Sequence, residues 1–291
     1  MDDSLITRRG FTAAGLAAGF ALAVLPVSAE TIITDTDGID AEMVRVPVGG
    51  GAIMSAYRAV PTWAGRGGSH PVVLVVQEIF GVHEHIRDLC RRLAKWGYYA
   101  IAPDLYFRQG DATKVADIPT LVRDIVSKVP DDQVMADLDA TLAYVDRDGR
   151  GNVNRAAITG FCWGGRIVWL YSAHNPTLKA GAAWYGRLVG TPDPLHPKNP
   201  VDLAGQLNAP VLGLYGGKDD GIPYTSVTQM REALANGSKA ATDSKIQVFA
   251  DSGHGFNADY RPSYNAVDAK AAWKQMLEWF KRNGVPYVPH T

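Results

Sequence analysis

Three short stretches of the chain carry residues of the kind that perform nucleophilic chemistry. "GFCWGG" sets Cys162 between Gly160 and Gly164, "GGKDD" sets Asp219 behind two glycines, and "SGHGF" sets His254 between two more. A thiol attacks a carbonyl carbon, an imidazole takes a proton and later returns it to a leaving group, and a carboxylate orients that imidazole. Asp220 is the rival acid. It stands one residue further along the same loop and suits a cap for the turn that follows.

These groups cooperate only if separate elements bring them together. "PVVLVVQEIFG", "YYAIAPDLY", "RAAITGFC", "LKAGAAWYG", "APVLGLYGGKD" and "KIQVFADSGHGF" contain apolar runs suited to buried strands. Between and after them, "HIRDLCRRLAKWG", "DIPTLVRDIVSKV", "DDQVMADLDATLAYVDRD", "GGRIVWLYSAH", "SVTQMREALAN" and "YNAVDAKAAWKQMLEWFKRNG" show helical spacing of apolar residues. Strand and helix alternate from Pro71 onward, which predicts a mostly parallel central sheet with helices on both faces. Ahead of this, "EMVRVPVGGGAIMSAYRAV" alternates around Gly49-Gly50-Gly51 and predicts a β-hairpin at the sheet edge. The glycines read as a turn and not as a phosphate loop, since no Lys-Ser/Thr pair and no helix follows.

Working groups gather at the carboxyl ends of such strands. The loops after Val76, Pro103, Thr159, Tyr215 and Phe249 are therefore the ones to inspect, and Cys162, Asp219 and His254 fall in three of them. Nucleophile, acid and histidine in that chain order is the arrangement of an α/β-hydrolase triad. The turn at Cys162 forces a strained backbone, the flanking glycines relieve crowding, and the helix behind it points its N-terminus at the thiol, where it stabilises a thiolate or an oxyanion.

A second set sits nearby. Glu78, in "VVQEIFG", ends a buried strand with almost no polar company, and a carboxylate there calls for a partner. The same loop and the residue after the nucleophile supply the two N–H groups of an oxyanion hole, which names Ile79 and Trp163. Arg108, in "DLYFRQGD", is placed to bind a substrate carboxylate bidentately. His83-x-His85 opens a helix, but positions i and i+2 do not share a helix face and no further ligands complete a site, so no metal is expected. Trp163, Trp184, Tyr185 and Phe256 are candidates to line an apolar pocket.

The chain has 291 residues, a net charge of −1 and 46% hydrophobic residues, which argues against nucleic acid or an anionic membrane as partner. Residues 1–29 read as an export leader. "TRRGF" is a twin-arginine pattern, an Ala/Gly-rich apolar run follows, and "VSA" offers a cleavage site before Glu30. Residues 30–291 are then one domain, expected in the periplasm as a monomer without stable membrane insertion once the leader is removed. Cys90 has helical spacing with Leu89 and Leu93 and reads as packing, so a Cys90–Cys162 disulfide is not expected.

Taken together, "QEIFG", "PDLYFRQGD", "GFCWGG", "GGKDDGIP" and "SGHGF" resemble the dienelactone hydrolase (carboxymethylenebutenolidase) family of α/β-hydrolases, from about Glu42 to Gly284. The resemblance implies that Cys162 is the nucleophile, His254 the base, Asp219 the triad acid, and Glu78 a carboxylate that swings to help deprotonate the thiol. It implies that Arg108 holds a substrate carboxylate. A second such arginine stands four residues after the histidine in the enzymes that open dienelactone; here that position is Ala258, and Arg261 is the nearest substitute. The expected activity is hydrolysis of activated carboxylic esters or lactones, small molecules, through a thioester acyl-enzyme and with no cofactor. The reading from another class is a redox-sensing or non-catalytic protein that uses Cys162 as a reactive thiol.

Overall fold

The apolar run Val72–Val76 is completely shielded from solvent along its length, so both of its faces are covered by other elements. It forms the middle of β3 (His70–Val76). The computed structural model describes residues 31–65 and 68–287, so the leader assigned to residues 1–29 lies outside the described residues. The strands are β1 (Ile39–Pro47), β2 (Ile53–Pro61), β3, β4 (Tyr99–Pro103), β5 (Gly151–Phe161), β6 (Ala180–Trp184), β7 (Val211–Gly216) and β8 (Lys245–Phe249). They form one eight-stranded sheet in the order β1-β2-β4-β3-β5-β6-β7-β8. β1 pairs antiparallel with β2, and β2 antiparallel with β4; every other neighbouring pair is parallel. The edge hairpin around Gly49–Gly51 and the parallel body thus match the sequence pattern.

The helices are α1 (Glu84–Lys95), α2 (Ile118–Asp124), α3 (Asp131–Asp148), α4 (Trp163–His174), α5 (Pro200–Leu203), α6 (Tyr224–Ala235), α7 (Lys239–Asp243) and α8 (Ala266–Arg282). α1 crosses from β3 to β4 and α4 from β5 to β6, as parallel neighbours require. α5 and α7 have no counterpart in the sequence reading, because four- and five-residue helices are too short to show a period. No helix among the described residues is long and apolar enough to cross a membrane. The topology sets the ends of β3, β5, β7 and β8 along one edge of the sheet, where the four candidate chemical residues emerge.

Candidate active site

Cys162 lies between β5 and α4 with φ 56° and ψ −114°, a conformation L-residues avoid. Such a residue stores roughly 1–3 kcal/mol and persists only where its surroundings dictate it. They do so here. The Cys162 N–H donates to the carbonyl of Trp184 at 3.0 Å, and its carbonyl accepts from the N–H of Gly165 at 3.0 Å. A Cβ on Gly160 would strike the backbone of Gly164, and one on Gly164 would strike the carbonyls of Val76 and Gln77, so the glycines let β3, β5 and α4 meet closely. α4 begins at the next residue, which turns its positive end toward the thiol.

His254 follows β8, and its Nδ1 lies 2.8 Å from Oδ2 of Asp219. The other oxygen of Asp219 accepts from the N–H of Gly221 at 3.0 Å, and its side chain is fully buried. Asp220 is exposed at the rim. Burial works against a charged His254, but hydrogen bonds to Asp219 and Cys162, with the negative charge at both, outweigh it and raise its pKa to about 10. The ring of Tyr185 stands edge-on to His254 with centroids 5.1 Å apart. Tyr185 is the second non-glycine residue at positive φ, at 38°, among the described residues.

Cys162, Asp219 and His254 open into one cleft of about 610 Å³. Ile79 and Trp163 line it with them, and as the first residue of α4 Trp163 has an N–H without an intrahelical acceptor. Tyr185 also lines the cleft, whereas Trp184 and Phe256 are fully buried in the core. Cys90 and Cys162 are both free thiols, and burial pushes the Cys90 thiol well above the ordinary range.

Glu78 is 1% exposed. Its Oε2 accepts from the Tyr260 hydroxyl at 2.5 Å and lies 3.3 Å from Nε2 of His83. Burial raises its pKa, but the hydrogen bond and charge of His83, with His85 and Arg261 further off, hold the carboxyl below its usual range. The carboxylate that the resemblance implies will swing to the thiol has its hydrogen bonds, in this state, to Tyr260 and His83.

The expectation for Arg108 is corrected. Its guanidinium forms a bidentate pair with Asp137 of α3 at 2.6 and 3.0 Å and packs over the Phe107 ring, and Arg108 is not among the residues that line the cleft. Asp137 is almost fully buried and needs that charge. Ala258 is buried in a turn closed by its N–H on the Gly255 carbonyl, and the next turn, closed by the Arg261 N–H on the Ala258 carbonyl, carries Arg261 over the ring of Phe80, within the fields of Glu78 and Cys162. The cations on the cleft wall are others. Arg166 is held by Asp131 and Lys218 by Asp251. Arg187 lines the cleft, is exposed, and has no ion-pair partner among the described residues. Arg187 and Tyr260 escaped the sequence reading; neither stands in a motif, although both follow strands at the working edge of the sheet.

The sequence profile of the dienelactone hydrolase family matches residues 54–284. A Methylorubrum extorquens protein named "Putative carboxymethylenebutenolidase" is 55% identical over 281 residues, 96% of this chain and 94% of its own. An Escherichia coli protein of the same name is 56% identical over 266 residues, 91% of this chain and 96% of its own. A crystal structure described as a "Putative Dienelactone Hydrolase" from Klebsiella pneumoniae superposes with a TM-score of 0.79 at 56% identity, covering 84% of this chain and 99% of that one.

Proposed function

Since the chain belongs to the dienelactone hydrolase family, hydrolases of esters and lactones, we propose that it cleaves activated carboxylic esters or lactones through a Cys162–His254–Asp219 triad and a thioester intermediate. The observation that carries this reading is the joint placement of a strained Cys162 and an Asp219-bound His254 in one cleft. Sulfur of Cys162 attacks the carbonyl carbon, and the carbonyl electron pair moves to oxygen. The N–H groups of Ile79 and Trp163 receive that oxyanion, each donor being worth about 3 kcal/mol in related sites. When the carbonyl re-forms, the bond to the leaving oxygen breaks and His254 donates its proton there. Acylation removes the negative sulfur that raised His254, so the imidazole is now neutral and accepts a proton from water as that water attacks the thioester. Collapse expels the sulfur and releases the acid.

Thiolate is itself a good leaving group, so poor alcohols lose the competition and enol or aryl esters win it. Arg187 is the cation we assign to a substrate carboxylate. Esters and lactones with and without a carboxylate test this against wild type, Arg187→Ala and Arg108→Ala. Arg187→Ala should raise KM about tenfold for the carboxylate-bearing compounds alone, the loss of one charge-assisted contact. A uniform change across the panel would remove the assignment, and no turnover of any activated ester by wild type would remove the proposed function.

The pattern in residues 1–29 supports export by the twin-arginine route to the periplasm. Replacement of Arg8 and Arg9 together by lysine should leave the tagged chain in the cytoplasmic fraction; unchanged periplasmic recovery would contradict that route.

A further inference from the structure

The loop between β6 and α5 carries Arg187, the cation assigned above to a substrate carboxylate, and runs on to Asn199. Its two ends are joined. The Val201 N–H donates to the Leu188 carbonyl at 3.2 Å, and Nδ2 of Asn199 donates to the Gly190 carbonyl at 2.9 Å. A surface loop closed in this way is an Ω-loop, a form often used for recognition. Pro192, Pro194 and Pro197 restrict its backbone further. The base is pressed onto the first turn of α4, because a Cβ on Gly186 would strike the backbone of Gly165 and Arg166.

The tip of the loop is pinned as well. The Leu195 carbonyl accepts from the Asp131 N–H at 3.0 Å, and Nε2 of His196 lies 3.0 Å from the Val129 carbonyl. Arg166 binds the Asp131 carboxylate through two nitrogens and donates to the Lys198 carbonyl at 2.8 Å. Val126 and Ser127, just before this junction, line the cleft together with Arg187 and His196. The other ring nitrogen of His196, Nδ1, lies 2.9 Å from a carboxylate oxygen of Asp193. The hydrogen bond from His196 holds the Asp193 carboxyl below its usual range, so Asp193 is ionised and accepts only. Both nitrogens of His196 therefore face oxygens that can only accept. An imidazolium satisfies both, whereas a neutral ring has one N–H and sets a lone pair against the second oxygen.

We propose that His196 is a positioning residue for Arg187: with hydrogen on both nitrogens it clasps the loop to Val129, and loss of one proton to water loosens the clasp and weakens recognition of a substrate carboxylate. The proposal rests on the reading of Arg187 as the partner of that carboxylate. Asp193 is the charged group in contact with the ring. The neighbouring charges are Asp131 of α3 and Arg166 of α4, which pair with each other, and Arg187 and Lys198 on the loop itself. Imidazoles lose their proton between about pH 5 and about pH 8, so the preference for a carboxylate must fall as pH rises through that range.

The test uses para- and meta-acetoxybenzoate, each against its methyl ester, from about pH 5.5 to about pH 8.5, where a benzoate stays ionised. The readout is KM for the methyl ester divided by KM for the carboxylate. His254 serves both esters of a pair alike and cancels in that ratio. The wild-type ratio should fall about threefold across the range, the scale of one hydrogen bond. His196→Gln, which does not titrate, should hold the ratio flat. Arg187→Ala should give a low ratio at every pH. A wild-type ratio that stays flat above the Arg187→Ala level overturns the proposal, as does the wild-type fall persisting in His196→Gln. The wild-type profile decides by itself should His196→Gln fail to fold. A wild-type ratio equal to that of Arg187→Ala at every pH would instead overturn the reading of Arg187 on which the proposal rests.

Discussion

Replacement of Cys162 by alanine is expected to lower kcat/KM for p-nitrophenyl acetate by about 10⁴-fold or more, the scale of losing a nucleophile in comparable triads. The size follows from what the residue alone provides. Its backbone is held at φ 56° by the Trp184 carbonyl and by the first turn of α4, so the thiol stands at the helix N-terminus beside His254. Alanine keeps the turn and the oxyanion donors but removes the atom that forms the covalent bond. The fold should therefore survive, since only a partly exposed sulfur is lost, and a thermal melt within a few degrees of wild type accompanies the loss of rate. Retained activity would mean that the cleft does its chemistry without an acyl-enzyme at this position.

Asp219→Asn should cost about 10³- to 10⁴-fold in kcat, whereas Asp220→Asn should stay within about twofold of wild type. The two acids are neighbours in sequence but not in environment. Asp219 is fully buried, with one oxygen 2.8 Å from Nδ1 of His254 and the other fixed by the N–H of Gly221. Asparagine at that position can present an N–H to Nδ1, which favours the wrong imidazole tautomer and removes the charge that supports the imidazolium. Asp220 is exposed at the rim and makes no such bond. Steady-state rates of the two variants on one activated ester decide between them; equal losses would contradict the assignment of Asp219.

Much of this arrangement is legible in the chain because it is local. The run before Cys162 and the helical spacing behind it dictate strand, turn and helix, and Gly160 and Gly164 show where backbones must approach. His254 and Asp219 are readable because each sits directly after a strand of recognisable pattern. Pairings across the fold are not readable in this way. Arg108 follows β4 as an ideal anion binder, and only the packing of α3 shows that Asp137, 29 residues later, claims its guanidinium. The rule that i and i+2 point apart on a helix fails at His83-x-His85 because His83 is the N-cap, with φ −79° and ψ 179°, and does not obey helix spacing. Tyr260 is 182 residues from Glu78, and no pattern near either residue announces their contact. Trp184 and Phe256 were pocket candidates by position, yet β6 and the loop after β8 turn them into the core.

The central claim is that Cys162 carries the acyl group. Wild-type protein mixed with an activated ester, quenched in acid during turnover and examined by intact-mass and peptide mass spectrometry, should gain the mass of one acyl group on the peptide containing Cys162. The adduct should be labile to hydroxylamine, as a thioester is, and absent from Cys162→Ala. An acyl group on another residue, or rapid turnover by Cys162→Ala with no adduct on either protein, would contradict the account.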